Sequence, residues 1–246
     1  QQHEPDACRD EVRETALVTM TIELVRGTIM PFTVEQFFDV FENYNTAIWP
    51  AQLFAYALGI AAVIIALRDT VIRSRVVSAI LAVLWIWMGV FYHIIHFSAI
   101  NEAARVFGAL FILEGLLVTL AGCFLPKLRF RFTREAIPVI GAIFILYAMV
   151  LYPIIGMLSG HAYPRCPMFG VAPCPATIFT FGILLWTTRP VPFYVVIIPF
   201  LWSLVGVSAA INLQVPQDYG LGLAGVLGLI LVLIKNRRMK QSSTTT

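Results

Sequence analysis

The sequence predicts an all-α membrane protein with about seven transmembrane helices, the N-terminus outside and the C-terminus cytoplasmic. Three observations carry that expectation. Apolar residues make up 59% of the 246 and charged residues 13%, where a soluble domain carries about 25% charged. The apolar residues are gathered into runs approaching the roughly 20 residues that cross a bilayer, and the mean hydropathy is +0.83. Most Lys and Arg residues sit in clusters at the ends of those runs. That placement orients a chain in a membrane and excludes a nucleic-acid surface, which needs a continuous basic stripe.

Residues 1–29 are a polar, mixed-charge leader without an apolar h-region. The chain opens on Gln1, and the reading that follows starts better at Met30, so the functional protein is expected to begin there. Residues 30–48 form an amphipathic helix lying in the interface plane. Thr33 and Gln36 have capping-box spacing, and Phe32 with Phe37 has the spacing of a hydrophobic staple. Phe37, Phe38 and Phe41 give the apolar side, with Glu35, Asp39 and Glu42 opposite.

Residues 49–234 hold the spans, expected at Trp49–Leu67, Val76–Phe97, Val106–Leu125, Ala136–Leu158, Pro173–Thr188, Pro192–Leu213 and Leu221–Ile234. The fifth is short enough to be a re-entrant segment. Charge decides the count. Arg68, Arg73 and Arg75 follow the first span; Lys127, Arg129, Arg131 and Arg134 follow the third; Lys235, Arg237, Arg238 and Lys240 follow the last. Seven crossings put all three clusters on one side, joined by Arg189, and the positive-inside rule makes that side the cytoplasm. Six crossings would break the rule. Residues 235–246 are a basic, then polar, cytoplasmic tail. Pro153 and Pro199 lie inside spans and should kink them.

Few ionisable groups lie in apolar sequence, and these are the candidate site. His93 and His96, at i, i+3, share a face of an α-helix and could contribute two ligands to a transition metal. Zinc takes three or four, so Glu102, Glu114 and His161 are the candidates to complete it. The bland alternative is an interfacial belt of Tyr92, His93 and His96. Glu114 lies mid-span, where an ionised carboxylate costs a few kcal/mol, and reads as a proton relay or ion ligand, or else as a protonated hydrogen-bonding group. At 1.5 Å per residue, His93 and Glu114 are about 8–10 Å apart in depth. A water-bridged path for ions, protons or a ligand, also lined by Tyr56 and Gln52, fits that gap better than a metal cage.

Cys166 and Cys174, flanked by prolines in a loop expected to face an oxidising compartment, are expected to form a disulfide. A soft-metal or redox thiol pair is the alternative. Gly220–Gly225 matches G-x-G-x-x-G with neither a preceding strand nor a following acid; its glycines read as a close-packing face. There is no H-E-x-x-H, G-x-S-x-G or Walker motif, and no catalytic residue is assigned.

The opening M-P-F-x-x-E-x-F-F at Met30–Phe38 and W-P-A-Q at Trp49–Gln52, followed by spans alternating with arginine-rich turns, resembles a family of bacterial multi-pass membrane proteins of unknown function. The resemblance covers Met30 to about Lys240. It implies a multi-pass fold in the bacterial inner membrane and supplies no mechanism. The expected function is therefore a small permease-like or ion- or proton-binding protein using His93, His96 and Glu114. A structural subunit of a larger membrane complex, or a homo-oligomer docking through its glycine and aromatic faces, is the alternative. An intramembrane metal or redox protein is the third reading. The expected partners are the lipid bilayer and other membrane proteins.

Overall fold

The computed structural model describes residues 31–213 and 215–244; the leader, Met30 and Cys8 lie outside the described residues. Among the described residues the architecture is helical, in the order α1 (Val34–Ala47), α2 (Ala51–Ala66), α3 (Val71–Ala99), α4 (Ala104–Phe124), α5 (Ala136–Leu158), α6 (Pro173–Leu184), α7 (Phe193–Leu213) and α8 (Pro216–Gln241). Five of these, α3, α4, α5, α7 and α8, are long and apolar enough to cross a membrane. A sixth is reached if α1 and α2, bent by 86° at their junction, count as one span. The two remaining expected spans are shorter helices: α2 has 16 residues and α6 has 12.

α1 begins as the sequence predicts. The Thr33 hydroxyl accepts from the Gln36 N–H at 3.2 Å, and the Gln36 side chain accepts from the Thr33 N–H at 2.9 Å. The Phe32 and Phe37 rings stack at 6.1 Å. Phe37, Phe38, Val40, Phe41 and Tyr44 are buried, while Glu35 and Asp39 stay exposed. Pro50 follows; a proline has no N–H to continue a helix, and α2 leaves at the bend.

The centre of the bundle is α6. All its residues except Cys174 are buried, and it packs against α3, α5, α7 and α8. A helix apolar all round is the expected occupant of such a position. Small residues let its neighbours close in. A Cβ on Gly141 of α5 would lie 2.6 Å from the Gly182 carbonyl of α6, and one on Gly182 would lie 2.7 Å from the Gly141 carbonyl. Gly222 and Gly225 of α8 face Val207 and Ser203 of α7, and Gly228 faces Phe181 of α6. The glycine face anticipated as a docking surface is thus used inside the chain.

Three helices widen into π-helical turns: Met88–His96 in α3, Leu120–Phe124 in α4 and Tyr147–Leu151 in α5. The last precedes Pro153, the expected kink. At the opposite end of the bundle from α1, the basic turns interlock. Arg129 pairs with Asp69 at 2.6 Å, Thr188 donates to Asp69 at 2.9 Å, and Phe130 bridges Thr187. Lys235 donates to the Leu185 carbonyl at 2.6 Å, at the C-terminal end of α6, where a cation is favoured by the helix dipole.

Candidate functional site

The amphipathic helix roofs the other end of the bundle and is tied down by polar contacts. The Tyr44 hydroxyl donates to the Val171 carbonyl at 2.9 Å and accepts from Trp87 Nε1 at 2.9 Å. Asn45 Nδ2 donates to the carbonyls of Pro164 and Cys166 at 2.6 and 2.8 Å. Arg165 holds Asp39 at 2.9 Å and Glu42 at 3.6 Å, so the loop between α5 and α6 is anchored to α1. Its His161 stacks on Phe38 with ring centroids 3.8 Å apart.

Beneath this roof is a cavity of about 470 Å³. Phe37 and Phe41 of α1, Tyr92 and Phe97 of α3, Phe107 of α4 and Trp202 of α7 supply aromatic walls. Its polar groups come from Asn101, Ser208, Cys174 and Asp218. Val205 and Ser208 of α7 line the cavity and are exposed, so an opening reaches the flank of the bundle at α7.

Asp218, 1% exposed, is the one carboxyl group of that lining. The chain turns sharply at Pro216–Asp218 before α8, which tucks the carboxylate inward. Tyr152 of α5 donates its hydroxyl to Asp218 Oδ1 at 2.5 Å, and the Cys174 thiol, in the first turn of α6, is a second hydrogen-bonding neighbour. The N-terminal end of α6 favours negative charge at this point. Among the described residues no Lys, Arg or His forms an ion pair with Asp218. Trp202 Nε1 is buried without a hydrogen-bond partner.

The residues anticipated from the sequence are dispersed. His93 is fully buried, caged by Phe111 at 4.6 Å and Trp202 at 5.0 Å, and neither ring nitrogen has a partner. It stands behind the cavity wall. His96 turns away, its Nδ1 2.7 Å from the Phe91 carbonyl. The pair was expected on one face, but in the π-helical turn hydrogen bonds reach five residues back, so each turn holds more residues and i, i+3 positions diverge. Among the described residues no three His, Cys, Asp or Glu side chains come together as a metal would need. Glu114 is buried and neither oxygen has a partner. It lies one helical turn from Phe111, whose ring meets His93 at 4.6 Å and Trp202 at 5.0 Å. Glu102 is exposed at the α3–α4 turn.

Tyr56 and Gln52 do not line the cavity. The Tyr56 hydroxyl donates to the Met149 carbonyl at 3.2 Å, and Gln52 Nε2 donates to the Asn45 carbonyl at 2.8 Å. The expected disulfide is not formed. Cys166 and Cys174 are free, because Cys166 lies in the loop with its sulfur 3.5 Å from that of Met168, whereas α6 carries Cys174 into the cavity beside Asp218. Burial pushes the Cys166 thiol up to about 11.

Asp218, Tyr152, Trp202 and Cys174 as a polar floor were missed. The available signal was an acid in V-P-Q-D-Y, directly before the last apolar run, with prolines on both sides of the Cys174 position. Comparison with curated proteins and with solved structures returns no match. A family model covers residues 34–243, nearly the whole chain. The protein belongs to the family of unknown function DUF6064.

Proposed function

We propose that the protein is a permease-like membrane protein that takes a small, largely apolar ligand into the cavity under α1. The observation that carries this reading is the cavity itself: about 470 Å³, within the 300–1,000 Å³ of small-molecule sites, apolar with a few convergent polar groups. On a seven-crossing reading with the basic end in the cytoplasm, which the positive-inside rule supports, this cavity would lie at the outer face of a bacterial inner membrane. The opening at Val205 and Ser208 of α7 would then face the lipid, with α1 as a roof in the interface plane. Buried and unpartnered, His93 and Glu114 mark the direction in which a ligand or proton would continue.

The test uses N-phenyl-1-naphthylamine, a neutral apolar probe that brightens on leaving water. Purified full-length protein should bind it saturably at one site per chain. Val205→Trp, which fills the opening, should abolish that binding while the melting temperature stays within a few degrees of wild type. Probe fluorescence no different from empty micelles, or unchanged by Val205→Trp, would count against the cavity as a ligand site.

A further inference from the structure

We infer that the cavity selects hydrophobic organic cations, a quaternary or protonated ammonium on an apolar body, with Asp218 as their counter-charge. This rests on the permease-like reading and names its substrate class.

Among the described residues the fold buries the Asp218 carboxyl group with no basic side chain paired to it. Asp218 is buried at 1% exposure and lines the cavity. Its neighbours, the Tyr152 hydroxyl and the Cys174 thiol, are neutral donors. A carboxylate has about four lone-pair sites, so two donors leave acceptor capacity facing the cavity. Of the cations at this end, Arg165 is already engaged by Asp39 and Glu42 on α1, and Arg105, at the start of α4, is exposed and outside the lining. Buried charges are otherwise paired; here the cavity is where a partner fits.

The walls agree with that partner. Phe37, Phe41, Tyr92, Phe97, Phe107 and Trp202 line the space, and aromatic faces attract a cation held within about 6 Å of the ring centroid. Tyr92 stacks on both Phe41 at 5.1 Å and Phe97 at 5.5 Å, so the rings form a continuous surface. An anion finds no basic side chain in the lining. A wholly apolar ligand would strip water from Asp218 and return nothing to it.

Two isosteres separate charge from shape: benzyltrimethylammonium and neopentylbenzene, which differ by a quaternary nitrogen against a quaternary carbon. Full-length protein in detergent is dialysed to equilibrium against radiolabelled benzyltrimethylammonium. The expected result is one saturable site per chain, weakened at least tenfold by Asp218→Asn and not competed by equal neopentylbenzene. Naphthylamine binding should survive Asp218→Asn. Phe41→Leu, which removes one aromatic face, should weaken the cation several-fold more than the naphthylamine. It decides the matter if Asp218→Asn does not fold. Naphthylamine binding without cation binding, equal competition by neopentylbenzene, or cation affinity indifferent to both substitutions overturns the charge assignment alone. Failure of both probes overturns the ligand site as well.

Discussion

The Tyr56 hydroxyl donates to the Met149 carbonyl at 3.2 Å, filling an acceptor that Pro153, four residues further on, has no N–H to reach. In apolar surroundings an unmade backbone hydrogen bond is costly, so α2 supplies from its side chain the donor that Pro153 withholds from α5. Tyr56→Phe should therefore destabilise the bundle by about 1 kcal/mol, read as a lower melting temperature in detergent. Pro153→Ala restores a backbone donor, and in that background Tyr56→Phe should cost measurably less. Equal cost in both backgrounds would assign the loss to packing against Phe169 instead.

At the basic end, Asp69 accepts from both Arg129 and Thr188, joining three turns that are far apart in sequence. The carboxylate and guanidinium are only 23% and 17% exposed, so the pair is largely shielded from solvent, unlike ordinary surface pairs. Asp69→Ala strands the Arg129 charge and should cost about 2 kcal/mol. Thr188→Val should cost about 1 kcal/mol or less. Unfolding midpoints of the two variants and their double mutant give the coupling.

Much of this architecture was legible, and the reasons are physical. The Thr33–Gln36 box and the Phe32–Phe37 staple are local, and both occur where the spacing puts them. The apolar runs and basic ends were legible because a bilayer demands length and charge asymmetry. The candidate site was far less so. His93 and His96 separate because α3 is π-helical there, and nothing in i, i+3 spacing announces that register. Asp218 falls between two expected spans; only the turn at Pro216–Asp218 and the arrival of Tyr152 from 66 positions away make it a buried acid. The thiols read as a pair because both fall in one proline-flanked loop expected to face an oxidising compartment, and α6 pulls one of them inward.

The α3–α4 crossing depends on two glycines facing each other. A Cβ on Gly89 would lie 2.7 Å from the Gly108 carbonyl, and one on Gly108 would lie 2.8 Å from the Gly89 carbonyl. Both neighbours are backbone, which cannot rotate aside. Gly89→Ala should cost about 1–3 kcal/mol through overpacking, more than the gain in helix propensity of up to about 1 kcal/mol. A melting temperature equal to or above that of wild type would mean that the crossing relaxes freely.

His161 predicts a pH dependence of stability at the α1 end. Burial against Phe38, and then the Arg165 charge, lower its pKa from the ordinary imidazole value. The unfolded chain, with a His pKa of about 6.5, then binds the proton more readily than the folded chain does. The contribution of His161 is complete above about pH 6.5 and is lost as pH falls from there through the lowered folded value. Melting temperature should drop between about pH 7 and 5.5. In His161→Asn the drop should flatten, because no imidazole remains to be charged.

Glu114 separates stability from function most sharply. Its side chain is buried in α4 and neither oxygen has a hydrogen-bond partner, an arrangement that lowers stability whichever protonation state it holds. If the bundle merely tolerated it, an apolar residue of similar volume would be better. Glu114→Met should therefore raise unfolding stability by about 1–2 kcal/mol. In proteoliposomes, uptake of labelled benzyltrimethylammonium should fall at least tenfold in Glu114→Met and Glu114→Gln, while binding at the Asp218 cavity stays intact. Gln keeps the shape and hydrogen-bonding capacity but cannot exchange a proton, so its failure would place proton or charge handling at Glu114. Uptake that survives Glu114→Gln but not Glu114→Met would leave only a polar hydrogen-bonding role. Uptake that survives both would take Glu114 off the route and leave the cavity as a binding site without a path through the bundle.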